Sequence, residues 1–317
     1  MSGLSRAGLL AVGLAAAALL TTRARAQAPS PTPRPPRFEA GIEVINLNLS
    51  ITDGQNRYIT DLQKKDFLIY EDGIGQDLTL FTHELLPISL VLMVDTSASM
   101  DQNLSLAQEA AVRFSKTLRP QDRARVVQFN DRSTTLEDFT SDQAALEAAI
   151  RRTRSGGGTA LYNALYVALK DLQKQKKADD LRRLAIVLLS DGEDSGLSLI
   201  TDDQVLELAL KTEIGIYSIG LRSKVTPDLT SLKFSEATHL LTALARDTGA
   251  QVFFPNSLSE LDAVYDRIAE ELRTQYNLGY VSSNRKRDGK WRRIVVRTPD
   301  RDDLQIRHRV GYYAPRG

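Results

Sequence analysis

The 317 residues contain no cysteine, which excludes disulfides, thiolate metal ligands and a lipid anchor carried on cysteine. Histidine is almost as scarce. His83, His239 and His308 are the whole supply, so an imidazole-built zinc site or catalytic base has little to draw on. Charge of one sign is also missing. Lys plus Arg number 41 against 40 Asp plus Glu, a formal net charge of +1. Three of those bases, Arg6, Arg23 and Arg25, lie in the first 26 residues, which hold no acid; beyond them 38 bases face 40 acids. Nothing in that balance implies a polyanionic partner, and no nucleic acid is expected to bind. After residue 26 no apolar stretch reaches the roughly 20 residues needed to cross a bilayer.

At the start, Arg6 precedes an apolar run from Ala7 to Leu20, and Ala24-Arg25-Ala26 has the small-x-small form of a cleavage site. Residues 1–26 therefore read as a signal peptide, with retention as a short anchor as the alternative, and the chain is expected to be periplasmic or secreted. Residues 27–37, QAPSPTPRPPR, carry five prolines and read as an extended linker.

Two stretches are apolar enough to be central strands covered on both faces, Ile88–Val94 and Leu184–Leu189. Around them strand and helix patterns alternate. Helices are expected after Asp101, after Ser141, over Ala160–Lys174, Asp202–Thr212, Leu240–Asp247 and Ser259–Arg273. Strands are expected over Arg125–Phe129, Ile214–Ile219 and Val252–Phe254, with Asn130-Asp131 as a tight turn, Thr134–Phe139 as an antiparallel edge and 222–237 as a surface loop. The rhythm predicts an α/β class fold, an open, mostly parallel, doubly wound, Rossmann-like sheet, over residues 87–275. Residues 38–86 and 276–317 alternate in polarity, with strands expected over Ile42–Ile51, Phe67–Tyr70, Leu78–Phe81, Tyr276–Val281, Arg292–Arg297 and Leu304–Tyr312. Neither is large enough to stand alone, so they are expected to combine into a small all-β companion domain.

The chemistry gathers where the two apolar strands end. Ile88–Val94 runs into Asp95-Thr96-Ser97-Ala98-Ser99, and Leu184–Leu189 runs into Ser190-Asp191-Gly192. In an open α/β sheet, ligands bind beyond the carboxyl ends of the strands, where the strand order reverses. Asp95, Ser97, Ser99 and Asp191 would meet there. Thr159 follows Gly156-Gly157-Gly158, whose missing side chains let backbone approach closely, and is the fifth candidate. Two carboxylates and three hydroxyls are hard oxygens, which suit Mg²⁺, with Mn²⁺ or Ca²⁺ as alternatives, better than zinc or copper. Such a shell lacks ligands for an octahedron, and an incoming carboxylate from a protein partner is the natural completion.

Asp95-x-Ser97-x-Ser99, Thr159 and Asp191 resemble the metal-ion-dependent adhesion site of von Willebrand factor type A domains, and Gly156–Tyr162 and Leu189–Gly192 suit the same family. The resemblance covers about residues 87–275. It implies that Ser97 and Ser99 bind metal through their hydroxyls, Thr159 directly or through water, and Asp95 and Asp191 largely through water and hydrogen bonds. A Glu or Asp of the partner completes the shell. The flanks, Val44–Phe81 with Asp66-Phe67 and Glu71-Asp72-Gly73, and Tyr276–Tyr280 through Gly311-Tyr312, resemble exported von Willebrand factor A-related proteins of the Acidobacteria type.

The expected function is thus a metal-dependent protein-binding module, not an enzyme. A metal-dependent hydrolase, or an envelope-assembly protein in which metal only stabilises the fold, are the alternatives. The glycine run lacks the Gly-x-x-x-x-Gly-Lys-Ser/Thr pattern of a phosphate-binding loop. Asp101 and Asp194 read as ordinary loop acids rather than an accessory calcium site. The basic run from Arg285 to Arg293 reads as a solvated hairpin, with Trp291 as the aromatic anchor of a strand.

Overall fold

A computed structural model describes residues 44–176, 182–192, 194–221, 230–255 and 257–316. The expected signal peptide and linker lie outside the described residues, as do 222–229 of the expected loop and most of the charged run beyond Lys174. In chain order the elements are β1 (Val44–Thr52), β2 (Leu68–Glu71), β3 (Ile74–Gln76), β4 (Leu78–Thr82), β5 (Ile88–Asp95), α1 (Asp101–Thr117), β6 (Arg123–Phe129), β7 (Ser133–Thr140), α2 (Gln143–Arg151), α3 (Leu161–Gln173), β8 (Arg183–Ser190), α4 (Asp202–Thr212), β9 (Gly215–Gly220), α5 (Thr230–Thr248), β10 (Val252–Phe253), α6 (Leu258–Thr274), β11 (Tyr276–Val281), β12 (Trp291–Arg297), β13 (Gln305–Arg307) and β14 (Gly311–Tyr313).

Every residue of β5 and of β8 is buried, as expected of central strands. They pair in parallel within a six-stranded sheet of order β10-β9-β8-β5-β6-β7, in which only β7 runs antiparallel, at the edge. The strand order reverses between β5 and β8. Alternate residues of β5 divide between two cores. Ile88, Leu90, Leu92 and Val94 pack with α1, α2 and α6, whereas Val91 and Met93 pack with α3, α4 and α5. Each fully buried Leu or Val contributes roughly 1.5–3 kcal/mol, which is why the carboxyl ends of these two strands are held firmly.

The flanking segments interleave into two antiparallel sheets, β13-β1-β11-β4 and β14-β12-β2-β3. The register from Val44 opposite Val281 to Leu49 opposite Tyr276 places the N-terminal strand directly against the first strand after α6. Ile45, Leu47 and Leu49 share a third core with Ile69, Leu278 and Ile294, drawn from both sheets.

Four details differ from the sequence reading. Helix α5 begins at Thr230, so 230–237 is helical where a loop is expected. The expected strand 304–312 is two short ones, β13 and β14, and β3 is additional. Asp101 sits in the first turn of α1, with Met100 at the cap position. The basic hairpin is only partly solvated: Arg292 is buried and pairs with Asp288 at 2.8 Å. Trp291 stacks edge-on against Tyr313 with ring centroids 5.0 Å apart, an anchor as expected.

One buried polar cluster joins the flanking sheets to the α/β body. Glu271 of α6 has no exposed surface. Its carboxylate accepts from Ser50 at 2.8 Å, Tyr58 at 3.1 Å, Tyr217 at 3.0 Å and the Gln251 amide, and it pairs with both terminal nitrogens of Arg307 at 3.1 and 2.8 Å. Gln275 continues the network to Ser50 and Tyr217, and its own carbonyl and side chain accept from buried Arg183 at the start of β8.

His308 is a second junction. One ring nitrogen lies 2.6 Å from the Arg309 carbonyl, to which it donates, and the other accepts from the Val296 N–H at 3.3 Å. The accepted bond requires the neutral ring; burial, with the nearby Arg309 charge, holds its pKa below the ordinary 6.5 although the donated bond favours the charged form. A His with a lowered folded pKa supplies stability above the unfolded value and loses it as pH falls. Urea midpoints should therefore decline between pH 7 and pH 5, and His308→Gln should flatten that decline. An equal slope in the variant would contradict this assignment.

Candidate metal centre

Asp95 closes β5 with no exposed surface. One carboxylate oxygen accepts from the Ser97 backbone N–H at 2.9 Å, and the other accepts from the Ser190 hydroxyl at 2.6 Å. Ser190 closes β8, so the second bond spans the point where strand order reverses. The Gly192 N–H donates to the same hydroxyl at 2.9 Å and sets the turn that carries Asp191. The Ser97 and Ser99 hydroxyls lie 3.0 Å apart, Ser97 buried and Ser99 exposed, so the pair leads from the interior to solvent.

The glycine run is drawn against this loop by backbone bonds. Gly156 N–H donates to the Thr96 carbonyl at 2.8 Å, and Ala98 N–H donates to the Gly157 carbonyl at 3.1 Å. Gly157 has φ +81°, and a Cβ there would sit 2.8 Å from the Asp131 carboxylate. Glycine is therefore favoured at this position for its conformation, and a Cβ would also push against the Asp131 carboxylate. Thr159, buried at the end of the run, exchanges two hydrogen bonds with Ser195, its N–H to the hydroxyl at 3.0 Å and its carbonyl from the N–H at 2.9 Å. All three segments named from the sequence are thus tied together.

The electrostatics are one-sided. The groups that touch Asp95 are neutral donors, and the charge that acts on it is that of Asp191, of the same sign. Burial pushes the Asp95 carboxyl up to about 6, the Ser190 and Ser97 hydrogen bonds resist the rise, and Asp191 adds to it. Among the described residues no three His, Cys, Asp or Glu side chains converge into a metal-holding group. The candidate set has two carboxylates, and its other oxygens are hydroxyls. As a donor set for a small hard cation it fits.

Four supporting residues escape the sequence reading. Ser190, the last residue of β8, and Ser195, in the loop beyond it, are serines with no distinctive sequence pattern. Asn130, whose side chain donates to the Gly156 carbonyl at 2.9 Å, and Asp131, which accepts from the Gly158 N–H, read as an ordinary Asn-Asp turn. Asp101 and Asp194 are engaged within the loops, Asp101 by the Ser155 hydroxyl and Asp194 by Gly196 N–H and the Ser198 hydroxyl. Among the histidines, His83 stacks on Tyr276, His308 is placed as above, and His239 is exposed on α5.

Residues 90–193, which include all five candidates, match the family model of the von Willebrand factor type A domain. The α/β body has the von Willebrand factor type A fold. An uncharacterized protein of Synechocystis sp. is 34% identical over 112 residues, 34% of this chain and 26% of that protein, so the match spans about a quarter of the relative's length. Among solved structures, a von Willebrand factor type A protein from Catenulispora acidiphila is similar at TM-score 0.49 and 16% identity, over 74% of this chain and 52% of that one. The von Willebrand factor domain of the type V pili tip protein Mfa5 from Porphyromonas gingivalis is similar at 0.46 and 17%, over 59% and 95%. The PilB minor pilin from Streptococcus sanguinis is similar at 0.48 and 15%, over 61% and 63%.

Proposed function

We propose that the crevice between β5 and β8 holds a divalent cation, Mg²⁺ with Mn²⁺ or Ca²⁺ as alternatives, on Asp95, Ser97, Ser99, Thr159 and Asp191. When bound, the cation supplies a positive vertex for an acidic side chain, so the chain acts as a metal-dependent protein-binding module for a partner presenting Asp or Glu. The observation that carries this reading is the buried Asp95 carboxylate, surrounded by neutral donors and opposed by the like charge of Asp191, beside two hydroxyls 3.0 Å apart. A buried carboxylate opposed by a like charge is costly to keep ionised, and a cation offsets that cost. Ser97 and Ser99 would offer hydroxyl oxygens, Thr159 a third, while Asp95 and Asp191 neutralise and orient.

The segment before residue 27 supports placement in the periplasm or outside the cell, with the exported, Acidobacteria-type von Willebrand factor A-related proteins as the nearest description of the flanks. Among the described residues no helix is long and apolar enough to cross a membrane. Adhesion or assembly through the cation suits this arrangement better than hydrolysis, because two of the three histidines are engaged in or beside the flanking sheets.

Thermal melts with Mg²⁺ and with chelator test the reading. A ligand at about 100 times its Kd adds roughly 2.7 kcal/mol, expected here as a rise of about 6 °C in Tm. The Ser97→Ala, Ser99→Ala double variant should show no rise, and equal responses from both proteins would end the proposal.

A further inference from the structure

The loop that follows Asp191 displays two leucines. Leu199 is 91% exposed, the most of any large hydrophobic side chain among the described residues, and Leu197 is 48% exposed. Single exposed leucines are ordinary on a protein surface. These two are held in place. Asn163, in the first turn of α3, accepts from the Leu199 and Ile200 N–H groups at 3.0 and 3.1 Å, and its own N–H donates to the Ser198 hydroxyl at 3.2 Å. Ser198 in turn donates to Asp194 at 2.6 Å. Leu197 leans over the glycine run, its Cδ1 only 2.8 Å from where a Cβ on Gly158 would lie. Gly158 is the neighbour of Thr159, so Leu197 borders the candidate centre, and Leu199 stands two residues further along the same loop.

Three residues beyond Leu199, at Asp202, a cleft of about 480 Å³ opens between α4 and α5. Leu206, Leu240 and Leu244 line it with Tyr162 and His239, and exposed Asp202 and Asp203 stand beside them. The surface therefore changes character in sequence, from a vertex for an anion, to apolar side chains, to an apolar cleft with acidic neighbours.

We infer that the Asp194–Ile200 loop is a recognition rim, and that its occupant is an extended segment of a protein partner. Leu197 and Leu199 pack on the apolar residues flanking the partner's acid, and the cleft takes an aliphatic or aromatic side chain with a basic residue beside it. Charge complementarity selects this occupant, because the two ends of the surface call for opposite signs. Pinning lowers the ordering cost that a free loop would add on binding. The inference rests on the metal reading for the acidic residue alone; the leucines and the cleft are independent of it.

A displayed random-peptide library, selected on the full chain in Mg²⁺, tests it. The expected winners carry one Asp or Glu with adjacent large apolar residues and a Lys or Arg. A winning peptide, synthesised with a fluorophore, should bind Leu199→Ser roughly tenfold more weakly and the Leu197→Ser, Leu199→Ser variant on the order of 100-fold more weakly. Both variants should keep the Mg²⁺-induced rise in Tm, which shows the fold and the metal site to be intact. Winners without apolar enrichment, or unchanged affinity in the double leucine variant, would each overturn the rim. Self-association of the wild type in Mg²⁺ that the leucine variants abolish would do so too, by naming a second copy as the occupant. Loss of the Mg²⁺ response in the wild type would instead remove the metal reading.

Discussion

Glu271→Gln should cost about 3 kcal/mol or more of folding stability. The carboxylate it removes is fully buried and is the anionic partner of Arg307, whose side chain is only 29% exposed. Breaking a buried pair from one side leaves the other charge without a partner, at roughly 3–5 kcal/mol. The amide that replaces it also presents donor hydrogens to Ser50, Tyr58, Tyr217 and Gln251, which already donate. Urea unfolding gives two readings of the effect. Trp291 is the single tryptophan and lies in β12, so its fluorescence reports the flanking sheets. Far-UV circular dichroism is dominated by the helices of the α/β body. Both midpoints should fall together, because the cluster ties β1 and β13 to β9 and α6. A Glu271→Gln midpoint within error of the wild type would contradict the assignment. So would a variant in which only the Trp291 signal moves, since the two parts would then be stabilised separately.

Asp95→Asn should do the opposite to the metal-free protein. A carboxyl raised from 3.8 to about 6 by folding is less stable in its charged form, and each unit corresponds to 1.36 kcal/mol. The charge is present at neutral pH, so the cost is present there and disappears as pH falls through the raised value. Removing it should gain on the order of 2 kcal/mol in chelator at pH 7. The same variant should lose the Mg²⁺-induced rise in Tm. The combination is diagnostic. A purely structural carboxylate would destabilise on substitution, whereas a carboxylate suited to a cation stabilises the empty protein and forfeits the response. A D95N melt several degrees below wild type in chelator would count against the proposed centre.

These expectations depend to different degrees on what could be read in advance. The α/β body was legible because its signals are local: unbroken apolar runs at 88–94 and 184–189, and helical spacing between them. The five candidate residues were legible for the same reason, each standing at a strand end or after a glycine run. Ser190 was not, although its hydroxyl makes the bond that spans β5 and β8. A serine beside an aspartate has no distinctive pattern until the pairing of two strands about 95 residues apart is known. Asp131 was hidden differently. Asn-Asp is common turn chemistry, and only the close approach of Gly157 reveals that its carboxylate orders the glycine run. The start of α5 is not legible in the sequence because 230–237 lacks strong periodicity.

From the residues alone came the class of fold, the reversal of strand order as the place to look, and a hard-oxygen donor set without thiolate. These follow from side-chain chemistry and from the repeat lengths of helix and strand, which act over a few residues. The tertiary structure decided how the flanking strands interleave, that Glu271 latches them to α6, that the charge acting on Asp95 is of its own sign, and that Leu197 lies against the glycine run. Each of those depends on side chains far apart in sequence meeting in space, and packing alone brings them together.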